Sequence, residues 1–310
     1  MMLNPLISTA ILFSLLFFWY ARRKRQRRRL LQRIAEEVWT IPSAWFPAPR
    51  EVCVYLPPAF RPGAGRANLL LVLDGQDREA LGIHRTLADL TARGAIAPVV
   101  VVAVPAGEDR LQEYGTAVAP NAQGLGQQAK ETAQFVTTEL LPLVQERLGV
   151  GGGRGRTAVW GASLGALFAF DLIWNHPRLF DTVGVFSGAF WWRASQVERR
   201  IAPGRRIAHQ MVRQTARREQ FRGYFQAGTL DETSDRDNNG VIDAIQDTLE
   251  LIAAIEQVPM QRQEIIYREV RGGRHNYDTW SQLFPEFLRW AFPHNRFAFA
   301  PQMDADRCRS

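Results

Sequence analysis

Short runs of apolar and β-branched residues alternate with longer amphipathic segments along most of this chain. Because strands need only a few such residues, the runs predict strands at residues 52–56, 69–73, 98–104, 157–160, 182–186, 223–227 and 265–270. The amphipathic segments predict helices at residues 80–93, 127–148, 164–174, 244–256 and 281–291. This alternation favours an α/β fold with a doubly wound, mostly parallel sheet and helices on both faces. Ligands of such sheets bind at the carboxyl ends of the strands.

The N-terminus has a different pattern, because residues 6–20 are uncharged and largely apolar. We expect residues 1–21 to form a single hydrophobic helix that anchors the chain in a membrane. The chain's net charge is +7, and the basic run from Arg22 to Arg29 carries as many positive charges by itself. The positive-inside rule then favours a cytoplasmic location for the main domain. An interfacial helix and an exported protein remain alternatives.

Residues 22–49 are expected to form a basic juxtamembrane helix, extending through residues 30–40, and a Pro-rich linker at 41–49. The main domain then covers residues 50–296, with a candidate cap at 190–221, and residues 297–310 form a tail. The two cysteines, Cys53 and Cys308, match neither a disulfide framework nor a zinc site. Since the rest of the chain is nearly neutral, we expect no nucleic-acid partner.

Ser163 is the candidate nucleophile, because Gly161-Ala162-Ser163-Leu164-Gly165 matches the pattern G-x-S-x-G. The pattern alone is weak, but here a predicted strand leads into it and a predicted helix follows. Small neighbours let the backbone turn sharply enough to expose the serine. The alternative is an ordinary serine in a tight turn between a strand and a helix.

His275 is the candidate general base, because it follows the last predicted strand and precedes the last helix. The acid of such a triad follows an earlier strand and lies between the serine and the histidine in the sequence. Asp231 has that position, and the adjacent Glu232 is the alternative. An oxyanion hole would use the backbone N–H groups of Leu164 and Gln76, the latter in the turn after the strand at 69–73.

Several segments together resemble one family of α/β-hydrolases, described as "putative esterase", whose members include enterochelin esterases, esterase D and mycolyltransferases. The similar segments are LLLVLDGQ (69–76), RLQEY (110–114), TELLPLV (138–144), WGASLGALFAF (160–170), HPRLFDTVGVFSGAFWW (176–192), GTLDE (228–232) and GGRHNYDTWSQLFPEFLRW (272–290). The resemblance spans about residues 52–292 and is strongest to the enterochelin-esterase branch. It implies an ester-cleaving enzyme that uses Ser163, His275 and either Asp231 or Glu232. Two departures are Ala166, where many relatives have glycine, and Arg274, where a small residue is expected.

A second motif resembles a calcium-binding loop, with oxygen-bearing side chains at alternate positions and a glycine for the turn. The four candidate ligands are Asp235, Asp237, Asn239 and Asp243. Gln246 stands where an EF-hand has its bidentate glutamate, so an acidic turn without an ion is the alternative. We expect no other cofactor and no other metal.

The sequence therefore predicts a serine esterase that forms an acyl-enzyme and acts on a small-molecule ester. Acyl transfer on the same scaffold and a non-catalytic, membrane-anchored binding protein are the alternatives. The arginine-rich candidate cap would favour anionic substrates or acidic lipid surfaces if it covers the site.

Overall fold

The computed structural model describes Trp19 and residues 34–294, apart from residues 59, 64–66, 152–155 and 195–204. Apart from Trp19, the predicted membrane segment at 1–21, the basic run from Arg22 to Arg29 and the tail at 297–310 lie outside the described residues. Within the described part of the chain, no helix combines the length and apolarity required to cross a bilayer.

Eight strands form one sheet, in the order β1-β2-β4-β3-β5-β6-β7-β8. The strands are β1 (Ala35–Ile41), β2 (Arg50–Leu56), β3 (Asn68–Leu73), β4 (Val99–Val104), β5 (Thr157–Ala162), β6 (Thr182–Phe186), β7 (Arg218–Leu230) and β8 (Met260–Arg274). β2 is antiparallel to both of its neighbours, β1 and β4. All other pairs of neighbouring strands are parallel. The predicted mostly parallel sheet is therefore confirmed.

Helices connect the parallel strands. They are α1 (Arg78–Leu81), α2 (Ile83–Ala92), α3 (Arg110–Glu113), α4 (Ala129–Gln134), α5 (Leu141–Leu148), α6 (Leu164–Asn175), α7 (Ile207–Arg213), α8 (Asp243–Glu256) and α9 (Tyr277–Ala291). A π-helical segment, Phe135–Leu140, joins α4 and α5. Gly82, in a left-handed conformation, separates α1 from α2 within the segment predicted as one helix.

The sheet separates two hydrophobic clusters, and β3 shows how its side chains divide. Leu69, Leu71 and Leu73 belong to the larger cluster, which includes residues of α5, α6, α7 and α8. Leu70 and Val72 belong to the smaller cluster, which includes residues of α2 and α9. Because successive side chains of a strand point to opposite faces, this division shows that helices cover both faces of the sheet.

The prediction of a helix over residues 30–40 is wrong at residues 35–40, which belong to β1. Its backbone pairs with β2 from Ala35 opposite Leu56 to Ile41 opposite Arg50. The charged residues at the start of this segment favour a helix locally, but pairing with β2 satisfies the backbone groups of both strands. The folded domain therefore begins before the predicted boundary at Arg50.

The candidate cap at 190–221 is described only outside residues 195–204. Within it, α7 buries Ile207, Ala208 and Val212 in the larger core cluster. Residues 218–221 are the first part of β7, which begins earlier than predicted. These described parts of the segment thus belong to the body of the domain.

Candidate active site

Ser163 lies at the sharp turn between β5 and α6. Its backbone has φ 57° and ψ −123°, a conformation that side-chain-bearing residues rarely adopt. The turn is held by the N–H of Ser163, which donates to the carbonyl of Phe186 at 2.9 Å, and by the N–H of Ala189, which donates to the carbonyl of Ser163 at 3.1 Å. Ser163 is partly exposed although its neighbours on both sides are buried. The structure thus presents the hydroxyl at the carboxyl edge of the sheet.

Two glycines make this turn sterically feasible. A β-carbon on Gly161 would overlap the backbone carbonyl of Gly165, because the strand and the helix approach so closely. A β-carbon on Gly165 would lie 2.7 Å from Oδ2 of Asp74, in the loop after β3. The G-x-S-x-G pattern therefore reflects two close approaches, one within the turn and one to the neighbouring loop.

Asp74 anchors that neighbouring loop. It is buried, and its backbone has a positive φ of 56°. Nε of Arg110 donates to Oδ1 of Asp74 at 2.5 Å, and Nη2 donates to Oδ2 at 2.7 Å. The backbone N–H of Asp74 donates to the hydroxyl of Tyr114 at 3.1 Å, and the Tyr114 ring stacks on Phe168 of α6. Through these contacts, Asp74 holds the loop after β3 against the turn that carries Ser163.

His275 lies in the short loop between β8 and α9. Its ring packs edge-to-face on Trp280, with the ring centroids 5.2 Å apart. Although the residue is exposed, desolvation lowers the pKa of its imidazole below the ordinary value. Asp231 raises this pKa and Arg110 lowers it, so both charges act on the histidine. A lowered pKa keeps the imidazole neutral, as a general base requires.

Asp231 follows the end of β7, where Oδ2 accepts the backbone N–H of Gly228 at 2.9 Å. Its Oδ1 is buried and has no hydrogen-bond partner among the described residues. A β-carbon on Gly228 would lie 2.8 Å from this oxygen and would overlap the carbonyl of Gly273, two residues before His275. Asp231 is thus directed toward the loop of His275, where its charge acts on the imidazole.

Glu232, the alternative acid, has different surroundings. Desolvation raises the pKa of its carboxyl group, and the backbone N–H of Ala244 at the start of α8 lowers it. Asp231, unlike Glu232, is among the groups that shift the pKa of His275. The arrangement therefore favours Asp231 as the partner of the histidine.

The two candidate oxyanion donors lie on the elements expected for them. Leu164 is the first residue of α6, where backbone N–H groups have no acceptor within the helix. Gln76 lies in the 3₁₀ turn Gly75–Asp77 directly after Asp74. The side chain of Gln76 fixes this turn, because its Oε1 accepts the N–H of Ala106 at 3.1 Å and its Nε2 donates to Asp74 at 3.0 Å.

The candidate calcium loop is closed by its own hydrogen bonds. Asp235 accepts the backbone N–H groups of Asn239 at 3.1 Å and Gly240 at 2.8 Å. The guanidinium of Arg236 pairs with Asp243 at 3.2 Å and also with Asp247. In the described part of the chain, no group of three or more His, Cys, Asp and Glu side chains is arranged to hold a metal ion.

Sequence reasoning did not identify several residues that support the site. Arg110 and Tyr114 belong to a segment noted only for its family resemblance, and their contacts with Asp74 depend on the fold. Ser187 and Trp280 were likewise not singled out. Ser187 follows Phe186, whose carbonyl accepts the N–H of Ser163, and the Trp280 ring contacts His275. A serine between Phe186 and Gly188 gives no signal of its buried contacts.

The family model described as "Putative esterase" matches residues 43–291 of the chain. Among curated proteins, the uncharacterized protein YbbA of Bacillus subtilis is 25% identical over 147 residues, which are 46% of this chain and 58% of that protein. The chain thus spans little more than half the length of this curated relative.

Solved structures share the fold at low sequence identity. An IroE-like serine hydrolase from Shewanella oneidensis superposes with a TM-score of 0.63 at 15% identity, over 84% of this chain and 80% of that chain. The enterobactin esterase from Shigella flexneri, crystallised in the presence of enterobactin, gives a TM-score of 0.62 at 20% identity, over 83% of this chain and 58% of that chain.

Proposed function

Because the chain belongs to the "putative esterase" family, we propose that it is a serine carboxylic-ester hydrolase with Ser163, His275 and Asp231 as its catalytic triad. The observation that carries this proposal is the strained turn at Ser163 after β5, at the same carboxyl edge of the parallel sheet as the ends of β7 and β8, which the other two residues follow. A backbone in this conformation is costly, and such strain is typical of functional positions.

In the proposed reaction, His275 takes the proton of the Ser163 hydroxyl as the oxygen attacks the ester carbonyl carbon. The tetrahedral intermediate collapses when the bond to the alcohol breaks, and His275 gives its proton to the departing oxygen. Water then attacks the acyl-enzyme with the same proton transfers, releasing the acid and restoring Ser163. Asp231 orients the imidazole and stabilises its protonated form.

The backbone N–H groups of Leu164 and Gln76 would stabilise the negative charge on the carbonyl oxygen. The close approach of Gly165 to Asp74 supports this pairing, because it holds the two donor segments side by side. The bidentate ion pair between Arg110 and Asp74 keeps the loop in place while charge develops.

We propose a small-molecule ester as substrate, on a site similar to that of enterochelin esterases. One fold neighbour is named an enterobactin esterase. Arg110 lowers the pKa of His275, and its side chain is 32% exposed. A partly exposed cation that acts on the proposed base would suit an ester that carries an anionic group.

Turnover of p-nitrophenyl acetate by the purified full chain, beside Ser163→Ala and His275→Ala, tests the proposed hydrolysis. Loss of turnover in both variants supports the triad, whereas wild-type rates in either variant would contradict it. The same assay with an added alcohol acceptor separates hydrolysis from acyl transfer, since transfer yields a new ester. A folded wild type without any turnover would favour the non-catalytic binding protein.

Anchoring of residues 1–21 in a membrane, with the main domain in the cytoplasm, stays a proposal from the sequence alone. The basic residues from Arg22 to Arg29 would add attraction to anionic lipids. Membrane fractionation and protease protection of the full chain in cells test both parts. Recovery in the soluble fraction would contradict anchoring, and digestion from the outer side would contradict the cytoplasmic location.

A further inference from the structure

The imidazole of His275 packs edge-to-face against the indole ring of Trp280. Trp280 lies in the first turn of α9, is only 6% exposed and meets the His275 ring at an interplanar angle of 79°. The ring of Tyr277 contacts the same indole with centroids 4.9 Å apart. His275 itself lies in an exposed loop, so the position of its ring depends on how firmly Trp280 is held.

Ser187 contacts the same indole through a hydrogen bond. The Nε1–H of Trp280 donates to Oγ of Ser187 at 2.9 Å, in a buried contact. The hydroxyl of Ser187 in turn donates to Oε1 of Gln226 at 3.3 Å. Its backbone N–H donates to the carbonyl of Gln226 at 2.8 Å, which ties the residue to β7. The hydroxyl thus joins the end of β6 to α9 and to β7.

The backbone of Ser187 makes this hydroxyl noteworthy. Ser187 directly follows β6 and has a φ of 49°, in the left-handed region where glycine is the favoured residue. It is 3% exposed, so its hydroxyl cannot contact a substrate. A serine at such a position incurs backbone strain, and the buried hydrogen bond to Trp280 is a specific contact that glycine would lose.

We propose that Ser187 is a positioning residue for His275, acting through the indole of Trp280. This inference rests on the proposed esterase function, in which His275 is the general base. Without the hydroxyl, the buried indole N–H has no acceptor, so Trp280 shifts toward water and the imidazole loses its support. Asp231 and Arg110, the charged residues that act on His275, are unchanged by this loss.

The test compares Ser187→Gly, Trp280→Phe and the double variant. Glycine suits the φ of residue 187 and removes only the hydroxymethyl group, and phenylalanine keeps an aromatic ring but has no N–H. We expect Ser187→Gly to lower kcat roughly 10-fold with little change in KM, because the imidazole is misplaced. In the Trp280→Phe background, Ser187→Gly should have almost no further effect. Ser281→Ala, at a surface position of α9, is the control and should keep the wild-type kcat.

The pKa of His275, measured by NMR titration of the imidazole, is a second readout that needs no turnover. Ser187→Gly should raise this pKa toward the ordinary value, because a less confined ring is better hydrated. Two results would overturn the proposal. One is an unchanged kcat and an unchanged His275 pKa in Ser187→Gly, and the other is an equal loss of kcat on Ser187→Gly in the wild type and in Trp280→Phe. If the wild type lacks activity dependent on Ser163, the proposed function fails, and the titration alone still decides whether Ser187 positions His275. Ser187→Ala replaces Ser187→Gly if the latter does not fold.

Discussion

Gly165, two residues after the candidate nucleophile, lies so close to Asp74 that a β-carbon at residue 165 would be 2.7 Å from Oδ2 of that carboxylate. Asp74 cannot easily move away, because Arg110 binds both of its oxygens. The G-x-S-x-G turn and the loop that carries Gln76 are thus fitted to each other.

Gly165→Ala should therefore reduce both stability and activity. The added methyl group must displace a paired, buried carboxylate, at a cost of about 1–3 kcal/mol in the free energy of unfolding. Displacement of the loop should also lower kcat for p-nitrophenyl acetate. Ala166→Gly is the matched control, since it costs up to about 1 kcal/mol of helix stability without touching the loop. Wild-type kcat in Gly165→Ala would show that the loop does not contribute to catalysis.

Asp231→Asn should lower kcat by up to about 10⁴-fold, because the amide no longer orients and stabilises the imidazolium. Asp231 raises the pKa of His275, so its removal lowers that pKa. In a plot of the residual kcat/KM against pH, the fall in activity on the acidic side (the acid limb) should therefore occur at lower pH. Glu232→Gln is the matched control and should keep most of the activity, because Glu232 is not among the groups that shift the pKa of His275. The reverse ranking of the two variants would assign the acid to Glu232.

Arg110→Gln should move the acid limb of the kcat/KM profile in the opposite direction. The guanidinium lowers the pKa of His275, so its removal raises that pKa. More of the base is then protonated at a given acidic pH, and activity is lost at a higher pH than in the wild type. Arg93→Gln, which breaks an exposed pair with Asp89, should leave the profile unchanged. An unshifted limb in Arg110→Gln would show that Arg110 acts only on the loop.

Added calcium should not raise the melting temperature. The carboxylate of Asp235 already accepts two backbone N–H groups, and Arg236 supplies a positive charge to Asp243. Asp235→Ala should lower Tm equally with calcium and with chelator, because it removes those backbone contacts. A Tm that rises with calcium in the wild type, but not in Asp235→Ala, would instead establish an ion site in this loop.

The local sequence pattern was sufficient to predict the mostly parallel sheet. Strands such as β3, β4 and β5 are buried on both faces, and for that reason their sequences are continuous apolar runs. The order of Ser163, Asp231 and His275 along the chain also places them at the ends of β5, β7 and β8. Their catalytic roles stay predictions. Family membership, expected from scattered similar segments, is confirmed by the match over residues 43–291.

Long-range contacts account for what was not predicted. The first four residues of β1, Ala35 to Val38, are all exposed. The segment therefore lacks the alternation of apolar and polar residues by which a half-buried strand is recognised in a sequence. Only its pairing with β2 fixes its conformation. In the same way, Arg110 and Asp74 are 36 residues apart, and Trp280 and Ser187 are 93 residues apart. No local rule connects such pairs before the fold is known.

The most direct test of the central claim is covalent labelling of the full chain by a fluorophosphonate, with the modified residue identified by mass spectrometry. The reagent reacts with an activated serine hydroxyl, so we expect a single adduct on Ser163. Ser163→Ala should abolish labelling, His275→Ala should slow it strongly, and Ser281→Ala should leave it unchanged. A folded wild-type protein that remains unlabelled, or an adduct that persists in Ser163→Ala, would contradict the assignment of Ser163 as the nucleophile.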